Sequence, residues 1–143
     1  MHDGTAQRDA VTRVEISGDI ATVVFDRPEK RNAMNDALID ALDTFFSHPP
    51  EGVNAVILRG EGGHFCSGLD LAEHEQREPV EGVHHSRNWH RVSDLIEYSG
   101  LPVISVLTGA VIGGGLEIAA STHVRIAEPT ARFQLPEGRR GIF

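Results

Sequence analysis

The stretch Gly109-Ala-Val-Ile-Gly-Gly-Gly-Leu-Glu-Ile-Ala119 (GAVIGGGLEIA) decides how this chain is read. Glycine weakens the interior of a helix or a strand, so three in succession before a glutamate and an apolar run need a reason. Either the backbone takes φ > 0 there, or another group comes very close to it. Just upstream, residues 103–107 (VISVL) form a β-branched strand, and residues 116–121 downstream read as a helix. At a strand–turn–helix junction of this kind, unpaired N–H groups point outward and the helix dipole adds positive potential. Such a junction can hold an anion, or a carbonyl oxygen that becomes one. Close packing of a helix on a sheet would require the same glycines and no chemistry. On this stretch alone both readings stand.

Two phosphate-binding readings fail. The stretch lacks the Gly-Lys-Ser/Thr ending of a P-loop. The spacing of Gly109 to the triplet Gly113, Gly114 and Gly115 does not match a dinucleotide fingerprint.

The rest of the chain alternates strands and helices. Residues 11–16 (VTRVEI) and 20–25 (IATVVF) flank Gly18-Asp19 and predict a hairpin. A loop, DRPEKRN, follows. Met34, Leu38, Ala41, Leu42, Phe45 and Phe46 recur at helical spacing, with Asn35 and Asp36 as a start signal and HPPEG as the stop. Residues 54–59 (NAVILR) predict a buried strand, and GEGGHFCSGLD a second glycine-rich loop. Residues 71–81 read as polar and irregular. Trp89, Val92 and Ile96 predict a helix ending at SGLP, and residues 123–127 (HVRIA) a further strand. The fold class is therefore α/β. No repeat or low-complexity segment occurs.

The bulk numbers bound the function. The 143 residues are 40% hydrophobic and 24% charged, an ordinary globular composition for one domain. The domain expectation is a flexible tail over 1–10 and a core over 11–143. A net charge of −8 argues against a nucleic-acid surface. No window approaches the ~18 consecutive apolar residues of a membrane span. The polar N-terminus has no apolar signal region. A single cysteine, Cys66, excludes an internal disulfide and fits a reducing, cytoplasmic setting. The chain stops at PEGRRGIF with no closing helix or polar tail, so the C-terminal part of a longer protein is expected beyond it.

The second loop changes the weight of the first. HFCSGLDL also follows a predicted strand and offers an exposed N–H after Gly68. Two such loops can aim two donors at one oxygen. FDRPEKRNAMN, GHFCSGLDL, GAVIGGGLEIAAS and ARFQLPEGRRGI, in this order and spacing, resemble the enoyl-CoA hydratase/isomerase (crotonase) superfamily from residue 11 to the last residue. The resemblance implies a spiral of ββα units surrounded by helices. It implies that the backbone N–H groups of Leu69 and Gly114 hold a thioester oxygen, and that Glu117 and Glu137 are the catalytic pair. It also implies substrate contacts from Lys30, Arg31, Ala33, Ser67, Gly68, Asp70 and Gly113, with the basic pair near CoA phosphates. The implied substrate is an acyl-CoA, with no metal, no further cofactor, and no nucleic-acid or membrane partner. The implied assembly is a homotrimer, or a hexamer, of the whole protein. Two glutamates favour a hydratase, a hydro-lyase of fatty acid metabolism, over an isomerase, a hydrolase or a C–C lyase on the same fold. A non-catalytic acyl-CoA-binding subunit is the other class.

Taken singly, each residue also has a plain reading. Glu117 is an acid at a helix N-terminus, Glu137 a loop acid, Lys30 and Arg31 an exposed loop pair. His74, His84, His85 and His90 lie close in sequence without completing a metal pattern. Cys66 has no partner base. Two positions depart from the family pattern: His123 stands where relatives often carry Asp, and Thr108 where many have Asn. The segment 73–90 is expected to line the acyl pocket.

Overall fold

The computed structural model describes residues 7–8, 11–75 and 78–141. Six strands form one sheet: β1 (Gln7–Arg8), β2 (Thr12–Ser17), β3 (Ile20–Phe25), β4 (Ala55–Gly60), β5 (Val103–Leu107) and, at the far edge, Val124–Ala127. The predicted hairpin pairs β2 with β3, from Thr12 opposite Phe25 to Ser17 opposite Ile20. From β3 onward the sheet is parallel. Parallel neighbours need crossovers, and helices supply them. These are α1 (Asp36–Ser47), the pair α2 (Leu71–His74) and α3 (Pro79–Glu97), and α4 (Gly114–Ser121).

A second, smaller sheet has two strands. There β6 (Ala110–Ile112) pairs in parallel with β8 (Arg132–Gln134), the edge strand of the large sheet being β7. Isolated bridges join Cys66 to Val111 and Met34 to Leu69. Each turn of the chain thus gives one strand to the large sheet and one extended piece to the small layer before its helix. This is the expected spiral of ββα units.

The core lies between the large sheet and the helices. The apolar stripe of α1 buries Leu38, Ile39, Leu42, Phe45 and Phe46, α3 buries Val92 and Ile96, and α4 buries Ile118 and Ala119. They meet Ala21, Val23, Phe25, Val56, Leu58, Val103 and Leu107 from the strands. Each large side chain so buried contributes roughly 1.5–3 kcal/mol. Asn35 starts α1 as expected, its Oδ1 accepting from the Leu38 N–H at 3.0 Å.

Three local expectations are corrected. Among the described residues of 71–81, α2 occupies the start and α3 begins at Pro79, so the segment is not irregular throughout. The Glu78 N–H donates to Glu81 Oε2 at 3.1 Å, and proline suits a first helical position. Glu81, in the first turn of α3, is exposed to solvent. Residues 110–112 are not a turn but β6, because β8 supplies a partner that local sequence does not reveal. Helix α4 starts at Gly114, two residues before the apolar run. The expected tail over 1–10 lies outside the described residues except for Gln7 and Arg8, which pair with Val14 and Arg13.

One buried loop is tied to the loop after β4 by side-chain hydrogen bonds. Asn32 is fully buried with φ +56°, a backbone region asparagine tolerates better than most. Its Oδ1 accepts from the Arg27 N–H at 2.9 Å, and its Nδ2 donates to the carbonyls of Glu61 and His64 at 2.9 and 2.7 Å. Beside it Arg27 binds the Ala33 carbonyl at 2.5 Å and the Asp70 carboxylate at 3.0 Å. Burial by itself raises the Asp70 carboxyl, but the hydrogen bond and charge of Arg27 outweigh it, and the group sits below its ordinary value.

Asn32→Ala leaves these partners unsatisfied and is expected to lower stability by about 2–4 kcal/mol, read as the shift in urea midpoint. For Asp70 the lowered native value means that its contribution is present above the unfolded carboxyl value of about 4 and is lost as pH falls through the native value. Stability of Asp70→Asn should therefore fall less steeply below about pH 4 than that of the parent.

Candidate active site

The three glycines of the opening stretch each face a different neighbour. Gly113 caps α4 with φ +54°, donates its N–H to the Gln134 carbonyl at 2.8 Å, and accepts from the Leu116 and Glu117 amides. A Cβ on Gly113 would overlap Glu137 Oε1. On Gly114 it would lie 2.9 Å from Trp89 Cη2, and on Gly115 2.5 Å from the Cys66 carbonyl oxygen. The packing reading is therefore correct for Gly115. The other two let the side chains of Glu137 and Trp89 reach the backbone. The Gly114 N–H, at the helix start, has no acceptor among the described residues.

The second loop lies directly against the first. The Cys66 N–H donates to the Ala110 carbonyl, and the Cys66 carbonyl accepts from the Ile112 N–H, both at 3.0 Å. Two residues on, Gly68 has φ +94°, and a Cβ there would lie 2.9 Å from the Ile112 carbonyl oxygen. Only glycine allows both the conformation and the contact. The Gly68 carbonyl accepts from the Met34 N–H at 2.7 Å, and the Asp70 N–H donates to the Met34 carbonyl at 2.8 Å. In an extended ladder successive amides point to opposite sides. The intervening Leu69 N–H thus turns away from Met34, and it too has no acceptor among the described residues.

Leu69 and Gly114 line one cavity of about 580 Å³, roofed by α3. Glu117 and Glu137 line it as well, with Ser67, Gly68 and Gly113. Glu117 rises from the first turn of α4, and its Oε2 accepts from Trp89 Nε1 at 2.7 Å. Glu137 opens the short helix α5 (Glu137–Arg140) with Pro136 before it. Its Oε2 is buried and has no hydrogen-bond partner among the described residues. A buried carboxylate oxygen without a partner is rare and calls for an explanation, and the residue that carries it lines the cavity.

The remaining expected contacts fall outside the cavity lining. Lys30 and Arg31 are exposed, but their loop adjoins the rim: the Ser67 N–H donates to the Arg31 carbonyl at 3.0 Å and Ser67 Oγ to the Lys30 carbonyl at 3.2 Å. The Ala33 carbonyl and the Asp70 carboxylate are both occupied by Arg27. Their observed part is to hold the loop.

Helix α3 supplies lining residues that local chemistry did not single out. Gly82, His85, Ser86, Trp89 and His90 face the cavity, in keeping with the expected role of the 73–90 segment. The i, i+4 spacing of His85 and Trp89 was the available signal. His85 Nδ1 lies 2.9 Å from Asp36 Oδ1. Burial pushes the Cys66 thiol up to about 12, which leaves it un-ionised and packed. His123 ties β5 to the end of α3: its Nδ1 accepts from the Val103 N–H at 3.0 Å, so Nε2 carries the hydrogen toward the Glu97 carbonyl at 3.0 Å. Its departure from the family pattern is thus structural.

Comparison with known proteins agrees with this architecture. A family model for enoyl-CoA hydratase/isomerase matches residues 15–143. The short-chain-enoyl-CoA hydratase of Clostridium acetobutylicum is 35% identical over 132 residues, covering 90% of this chain and 51% of that protein. Among solved structures, a Rhodopseudomonas palustris homologue is 48% identical with a TM-score of 0.88, covering 94% of this chain and 52% of its own. The enoyl-CoA hydratase of Thermoplasma volcanium is 32% identical with a TM-score of 0.87, covering 94% and 54%. This chain spans about half the length of the relatives it matches. The fold is the crotonase-like spiral, and the chain belongs to the enoyl-CoA hydratase/isomerase family.

Proposed function

We propose that the whole protein adds water to a 2-enoyl-CoA thioester and yields a 3-hydroxyacyl-CoA. One observation carries the reading: Glu117 and Glu137 line the same cavity as the two amides, of Leu69 and Gly114, that lack acceptors. The thioester oxygen is placed between those amides. As water oxygen bonds to C3, the π electrons shift toward that oxygen and two N–H dipoles stabilise the charge. One glutamate takes a proton from the water, and the other passes a proton to C2. A proton passed between the two carboxylates resets the pair, so that the net result is H and OH of water on adjacent carbons. Water is a poor nucleophile and C2 a poor base, which is why both ends need a positioned proton partner. Lys30 and Arg31, on the loop bonded to Ser67, are suited to the CoA phosphates. The same reading carries a homotrimer, or a hexamer of two trimers. Sedimentation of the full-length protein as a clean monomer overturns that part.

Glu117→Gln and Glu137→Gln each keep the shape of the site and remove a proton transfer. Each is expected to lower kcat on a short 2-enoyl-CoA by about 10²–10⁴, with KM changed only a few-fold, followed as loss of the conjugated thioester absorbance. The double variant should lose far less than the product of the two, because the pair acts as a unit. Hydration surviving Glu137→Gln but not Glu117→Gln would overturn the two-carboxylate mechanism and leave Glu117 as the single proton-transferring acid.

Gly113→Ala tests the placement of Glu137 separately. The added methyl overlaps the carboxylate at a positive φ. Its kcat should fall at least as far as that of Glu137→Gln, while acyl-CoA still binds in a calorimetric titration.

A further inference from the structure

The geometry points to Trp89 as the residue that positions Glu117 for proton transfer, an inference that rests on the proposed hydration. Glu117 is largely exposed on α4, and an exposed glutamate samples several rotamers. A carboxylate that must meet water and substrate at a fixed place needs a restraint. Two contacts of one side chain supply it. Trp89 Nε1 donates to Glu117 Oε2 at 2.7 Å, a short bond of the charge-assisted kind. The far edge of the same indole rests on Gly114, with Cη2 and Cζ2 at 2.9 and 3.0 Å from where a Cβ would stand. The ring therefore spans the carboxylate and the α-carbon beside the Gly114 N–H. It cannot swing away from one without leaving the other.

The ring is itself anchored. Trp89 is half-buried and packs against the core, and Val92 and Ile96 on the same helix are fully buried. The position of α3 is thus passed through a rigid, two-torsion side chain to the carboxylate. Oε2 is held by the indole, and Oε1, without a hydrogen-bond partner among the described residues, is the oxygen suited to meet water or substrate. Glycine at 114 is required for this arrangement, since any side chain there would displace the indole. Trp89 does no proton transfer. Its hydrogen stays on Nε1, and its part is to fix where the carboxylate stands.

The test uses the full-length protein. Trp89→Phe keeps an aromatic ring at this position and removes both the N–H and the far edge of the indole that rests on Gly114. Its kcat on a short 2-enoyl-CoA is expected to fall about tenfold or more with KM little changed, since one charge-assisted bond is lost from a group that acts in the transition state. In a Glu117→Gln background the same change should cost less than about twofold, because the group it positions no longer transfers a proton. An equal loss in both backgrounds overturns the inference and marks Trp89 as packing alone. A second readout does not need turnover. With ¹⁵N-labelled tryptophan, the indole N–H resonance that disappears in Trp89→Phe is that of Trp89. It should shift upfield and exchange with solvent at least about tenfold faster in Glu117→Ala. If that resonance is indifferent to Glu117, the contact does not exist in solution and the inference falls. If the resonance responds but no enoyl-CoA is hydrated, the contact stands, while the hydration reading and the positioning role resting on it both fall.

Discussion

The structure depends on how closely the loop at Cys66–Gly68 approaches β6 and the start of α4. Two backbone hydrogen bonds join Cys66 to Ala110 and Ile112, and at Gly68 and Gly115 there is no room for a Cβ on either side of the seam. This is backbone packed on backbone. The contact is short because two glycines face two carbonyls, and it sets the spacing between two chain segments more than 40 residues apart. Neither amide suited to an oxyanion could be held in register with the other if a side chain separated the segments.

Polar groups brace this seam from outside the cavity. Asn32 satisfies three backbone groups in a fully buried position, and Arg27 ties the Ala33 carbonyl to the Asp70 carboxylate. A buried polar group without partners costs more than a paired one contributes, so such a network favours one arrangement strongly. Met34 completes the brace through its own backbone, bonding Gly68 on one side and Asp70 on the other. The cavity wall is therefore rigid where the amides are, and its side chains come from elsewhere: Glu117 from α4, Glu137 from α5, Trp89 from α3.

Local sequence made much of this legible. The hairpin, α1 with its Asn35 cap, β4 and β5 follow from alternation, helical spacing and start signals, all of which act over a few residues. Helix α3 was only partly legible, because its first half is polar and its start signal lies in Glu78, Pro79 and Glu81 rather than in an apolar stripe. β6 and β8 were not legible. Each is short, and each is a strand only because the other lies beside it. That Arg27 bonds both the Ala33 carbonyl and the Asp70 carboxylate was not legible, since the pairing spans 43 residues in the case of Asp70.

The amino-acid sequence by itself determined the α/β class, the family resemblance, both glycine loops and the two glutamates, because each is a matter of residue type at short or motif spacing. It could not determine why three glycines stand together. Tertiary structure decided that, by bringing Glu137 to Gly113, Trp89 to Gly114 and Cys66 to Gly115. It also decided which motif residues face the cavity and which brace it, and it joined Trp89 to Glu117. These are contacts between segments far apart in the chain, and they form only when the helices and the two strand layers have packed around a common core.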